Sequence, residues 1–106
     1  MSKQYGKLVR DRVPEIIATE GRTCATEKMS DDEYRTALLA KVVEEAQEIS
    51  NAPADKLIVE IADLLEVLDA LMEINGFQPD DVRGVQQQRR EERGGFSKQI
   101  KLLWTD

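Results

Sequence analysis

The sequence of 106 residues has no histidine and one cysteine, and each scarcity removes a class of chemistry. A lone thiol, Cys24, cannot close an intrachain disulfide. Without imidazole there is neither a Cys/His nucleophilic pair nor a thiolate/imidazole zinc site, so Cys24 reads as an ordinary small residue. A di-iron carboxylate bundle is excluded on the same ground, because its Glu-x-x-His elements need histidine. Long apolar runs are also missing. The opening Met1–Lys7 has no apolar stretch behind its charges, and later runs are broken by carboxylates every few residues. This predicts a soluble, cytoplasmic protein with no membrane partner. Basic charge is in deficit too: the net charge of −6 argues against binding a nucleic-acid polymer, whose backbone needs basic surface. There is no internal repeat and no low-complexity tract. The length predicts a single domain over 1–106 with a modest core that self-association would help complete.

What is present is unevenly distributed. Residues 1–28 carry a net +2, residues 29–81 a net −11 and residues 82–106 a net +3. An acidic centre between basic ends suits a cation held by the middle and an anion held by the ends, although charge runs often form simple solvated faces. The punctuation is helical. Pro14 opens a short helix over Pro14–Glu20 that Gly21 ends, and residues 22–29 read as a loop. Ser30-Asp-Asp-Glu33 is a capping box before a long helix from about Asp31 to Ser50, which Asn51-Ala-Pro53 breaks. A second long helix, roughly Ala54–Asn75, stops at Gly76. Pro79 starts a last helix to about Arg93, ended by Gly94-Gly95, and the tail Phe96–Trp104 reads as coil or a short strand. The expected fold is all-α: a hairpin of two long antiparallel helices with shorter terminal helices, completed by homo-oligomerisation into a bundle.

The informative residues are Glu44, Glu45 and Glu48 on the first long helix and Glu60 and Asp63 on the second. Any one of them alone reads as solvated surface. At 100° per residue, however, Leu38, Ile49 and Val42 fall within about 60° of Glu45, which puts Glu45 at the edge of the apolar stripe. On the second helix Leu57, Ile61, Leu64, Leu68 and Leu71 form the stripe. Glu60 borders it, and Asp63 stands one step further out. In an antiparallel hairpin, residues whose numbers have a constant sum lie level. Glu48 with Glu60 and Glu45 with Asp63 share the sum 108, so two carboxylate pairs should face each other about 4.5 Å apart along the axis. Four acidic groups in one small volume repel unless a hard, oxygen-seeking divalent cation joins them. Mg²⁺ commonly shares its shell with substrate phosphates, which Lys41, one turn before Glu45, could meet.

Glu44-Glu45-Ala-Gln-Glu48 followed by Glu60-Ile-Ala-Asp63 reads as EExxE…ExxD, and this pattern resembles the MazG-like, all-α nucleoside triphosphate pyrophosphatase superfamily. The likeness extends outward. Tyr5-Gly-Lys-Leu-Val-Arg-Asp-Arg-Val-Pro-Glu-Ile-Ile17 is similar to the opening segment of the small phosphoribosyl-ATP pyrophosphohydrolase-like subgroup. Arg89-Arg-Glu-Glu-Arg-Gly-Gly-Phe96 resembles the closing R-x-x-R-G-G-F segment of that subgroup. Nearly the whole chain is covered by these three ordered motifs.

The resemblance implies a helical fold around a two-helix metal site, with dimerisation or higher assembly. By motif position, Glu45, Glu48, Glu60 and Asp63 would hold Mg²⁺, or Mn²⁺ in its place. Glu44 and Glu45 would be catalytic, Glu44 as a base for the attacking water or a support for the ligands. The implied reaction is hydrolysis of a nucleotide to a monophosphate and pyrophosphate by metal-activated water, in nucleotide-pool house-cleaning. Lys7, Arg10, Lys41, Arg89 and Arg93 are the candidate phosphate-binding residues. Arg10 with Asp11 could instead pair or cap the Pro14 helix, and Arg89 and Arg93 could pair with neighbouring glutamates. The short connection from Glu48 to Glu60 is at the compact end of the family pattern and leaves the substrate open. Two alternatives remain: phosphoribosyl-ATP hydrolysis in histidine synthesis, and a non-catalytic helical dimerisation or regulatory module.

Overall fold

Four helices grow from this punctuation. The computed structural model describes residues 6–106, with α1 at Val13–Thr19, α2 at Asp31–Asn51, α3 at Leu57–Ile74 and α4 at Pro79–Arg93. Among the described residues there is no strand, and the architecture is all-helical as expected. Tyr5, the first residue of the opening motif, and the start of the segment read for a leader lie outside the described residues.

The ends of the helices have local causes. Ser30 Oγ accepts the Glu33 amide at 3.2 Å, and Asp31, Asp32 and Glu33 place negative charge in the first turn of α2, where the helix dipole favours it. Gly21 and Gly76 adopt φ of +75° and +73°, the left-handed region that ordinary side chains strain to reach. Behind them the Arg22 amide donates to the Ile17 carbonyl at 3.2 Å and the Phe77 amide to Met72 at 2.9 Å. These bonds close α1 and α3 in the same Schellman pattern. α3 begins later than the sequence suggests. Residues 54–56 form a turn, with Lys56 N–H on the Pro53 carbonyl at 2.9 Å, and the helix proper opens at Leu57. The tail beyond Gly94 has neither helix nor strand, so its coil reading holds.

α2 and α3 form the antiparallel hairpin, and they are the only helices that pack on each other to more than a marginal extent among the described residues. Arg35 Nη2 donates to the Ile74 carbonyl at 3.4 Å, tying the start of α2 to the end of α3. That pair sums to 109, close to the value expected for the carboxylates, so one register runs the length of the hairpin. Leu38, 3% exposed, is its one fully buried apolar residue.

The face that α3 turns to α2 differs from the simple stripe. Glu60, Asp63, Leu64, Val67, Leu68 and Leu71 are half-buried, whereas Leu57, Ile61 and Leu65 are exposed. The seam is therefore rotated by roughly 60° toward the carboxylates. The physical reason is that α3 is apolar over most of its circumference, so one apolar flank can pack on α2 while another stays open. Ile58, 76% exposed, and Leu65, 50% exposed, lie on that open flank. Because α2 and α3 alone pack to more than a marginal extent among the described residues, the chain is extended. Its radius of gyration is 18.4 Å, against about 13 Å for a compact domain of this size.

Candidate metal centre

Glu60 and Asp63 lie one turn apart on α3 and project from the same side of the helix. The hairpin register sets Glu45 of α2 against them. All three are half-buried, and a carboxylate oxygen from each lies within 4.8 Å of the others. Glu48 stands outside this group and is exposed. On the helical wheel it lies about 60° from Glu45, and it stands in the last turn of α2, which ends at Asn51.

Basic side chains surround the group. Arg10, in the segment before α1, places Nη2 2.8 Å from Asp63 Oδ1. Lys41 Nζ is 3.5 Å and Lys7 Nζ 3.8 Å from the two oxygens of Glu44. Lys7, Arg10 and Lys41 are thus brought to the carboxylate end of the hairpin. Arg10 pairs with Asp63 rather than Asp11, a long-range contact invisible in the local sequence. α4 touches the hairpin at most marginally, and Arg89 and Arg93 form no ion pair with any of these carboxylates. Ion pairs this exposed are worth only about 0–1 kcal/mol each, so they are easily exchanged for a ligand.

The carboxyl of Glu45 is held above its ordinary value, chiefly by burial, then by the charge of Asp63, with Glu44 and Glu60 adding to the effect and Lys41 opposing it. The donor set is oxygen only, as a hard divalent cation requires. Donors at about 2.0–2.1 Å from Mg²⁺ must draw together to separations of about 3–4 Å, an adjustment half-exposed side chains can make. The residues present fit such an ion.

The raised pKa carries a stability prediction. Because the folded value exceeds the unfolded one, the native state binds more protons above the ordinary 4.5. Stability is therefore lost as pH rises through the folded value. Glu45→Gln removes this penalty. In EDTA the variant should melt at a higher temperature than the parent at pH 7, and the advantage should vanish below pH 4.5. A variant less stable than the parent at pH 7 would contradict the crowding inferred for this site.

No family model matches the chain, and no solved structure matches it. A stretch of 46 residues, 43% of the chain, is 52% identical to a protein of Mycolicibacterium smegmatis described as uncharacterized. The match spans about half of that relative, 47% of its length.

Proposed function

We propose that the chain is a Mg²⁺-dependent nucleotide pyrophosphohydrolase that acts as a homo-oligomer and yields a monophosphate and pyrophosphate. The observation that carries this reading is the approach of Glu45, Glu60 and Asp63 within 4.8 Å, in a setting where burial and then the charge of Asp63 push the Glu45 carboxyl upward. Like charges gathered without full compensation cost stability, and a divalent ion would remove that cost. Glu45, Glu60 and Asp63 would hold it, with Glu48, one turn along α2, as the fourth ligand.

When bound, Mg²⁺ supplies Lewis-acid polarisation of phosphoryl oxygens and lowers the pKa of bound water. The chain's own residues do the rest. Glu44, beside the ligands, accepts the proton of the attacking water as general base, so histidine is not needed. Lys7 and Lys41, now shared by Glu44, and Arg10, now on Asp63, exchange these carboxylates for phosphate oxygens and neutralise the leaving pyrophosphate. Arg89 and Arg93 enter only from another copy or through movement of α4. Among the described residues no helix is long and apolar enough to cross a membrane, which accords with a substrate met in aqueous solution.

The competing reading is a non-catalytic helical module, favoured by Arg10, which already compensates part of the acidic charge. The deciding test is pyrophosphate release from canonical and modified nucleoside triphosphates and from phosphoribosyl-ATP, with Mg²⁺ and with EDTA. Metal-dependent release from any of them is the expected result and identifies the substrate class. Silence across all of them, with no thermal shift on adding Mg²⁺, would leave the helical module.

A further inference from the structure

Besides the open flank of α3, the chain has two apolar places that complement each other. The first follows α4. Phe96, Ile100, Leu102, Leu103 and Trp104 are 97%, 80%, 77%, 79% and 80% exposed, on a segment without regular structure. Five large apolar side chains within nine residues form an arm that loses free energy in water until something covers it. Extended, these nine residues reach roughly 30 Å.

The second is a groove of about 480 Å³ at the far end of the hairpin from the carboxylates, lined by Leu39, Leu68, Leu71, Met72, Phe77 and Val82 together with the polar Arg35 and Asn75. Its size matches cavities of roughly 300–1,000 Å³ that enclose small ligands, enough for a large side chain of the arm. Asp69 and Glu73 line the hollow that adjoins it across Met72 and Phe77. The arm carries Lys98 and Lys101 between its apolar residues. Apolar side chains of the arm meet the apolar lining, Arg35 is already paired with Asp32, and the two lysines of the arm find their acidic partners only in the adjoining hollow.

We propose that the Phe96–Trp104 arm of one copy lies in this groove of a second copy. The proposal rests on the self-association advanced above and names the segment that accomplishes it. The exposed area is 9814 Å², whereas a compact chain of this mass exposes about 6,000 Å². The excess, roughly 3,800 Å², is well above the ~800 Å² per partner of a standard interface. Each copy supplies one arm and one groove, so a two-fold exchange fills both arms and both grooves. A different protein would cover one and leave the other bare.

Trp104 is the sole tryptophan and reports directly on the arm. The full chain would be diluted serially, with molar mass read by light scattering and Trp104 by its emission and acrylamide quenching. The expected result is a dimer or larger assembly with a blue-shifted, shielded Trp104 that becomes several-fold more quenchable as the assembly dissociates. Phe77→Asp, at a groove position 55% exposed in the single chain, should expose Trp104 at concentrations where the parent shields it. An assembly with Trp104 fully exposed would overturn the arm exchange and leave self-association standing. A shielded Trp104 in a monomer would mean that the arm folds onto its own groove, which also overturns the exchange. A monomer with exposed Trp104 would overturn both.

Discussion

Replacing Glu60 by glutamine is expected to lower Mg²⁺-dependent pyrophosphate release by at least roughly 100-fold, as loss of a charged ligand from a small oxygen cage should. Far-UV circular dichroism should not change. Glu60 is half-buried at the seam, and glutamine keeps its shape and helix propensity while removing the charge. Asp63→Asn and Glu45→Gln should behave in the same way, because the three carboxylates converge within 4.8 Å. Glu48→Gln should cost less, since that side chain lies outside the group. Arg10→Gln tests the opposite direction. Removing the cation 2.8 Å from Asp63 should tighten metal binding, measured by calorimetry with Mn²⁺, yet weaken turnover if the guanidinium moves to phosphate. Full activity in Glu60→Gln and Asp63→Asn would remove the proposed centre.

The other large effect concerns the uncovered flank of α3. Ile58→Asp and Leu65→Asp are expected to convert the protein to a monomer in sedimentation velocity and to lower its melting temperature. In the single chain these positions are 76% and 50% exposed, where a change to a polar residue is usually within about 0.5 kcal/mol of neutral. Between two copies the same carboxylate would be buried without a partner, at a cost of several kcal/mol. The sign of the result therefore separates an open surface from an interface. Unchanged mass and stability in both variants would mean that α3 keeps this flank in water.

Much of the fold was legible locally, because its determinants are local. Ser30 with Glu33, Pro14, Pro53, Pro79, Gly21 and Gly76 act within a turn of their own position, through one hydrogen bond or one backbone angle. The helix limits accordingly agree to within a few residues. The late opening of α3 at Leu57 was not legible, because Ala54-Asp-Lys56 has no feature that forbids a helix, and the turn is decided by the chain reversal after Pro53.

The candidate site divides the same way. By itself the sequence determined the all-helical class, the register that levels Glu45 with Asp63, and the exclusion of imidazole chemistry and of an intrachain disulfide. These follow from composition and from the fixed rise and pitch of a helix. Only the tertiary structure decided that the α3 seam is rotated onto Glu60 and Asp63, that Glu48 is left outside, and that Arg10 reaches Asp63 from 53 residues away. The reason is that α3 is apolar on more than one flank. The wheel then offers several faces of comparable hydrophobicity, and the choice among them is made by packing against α2.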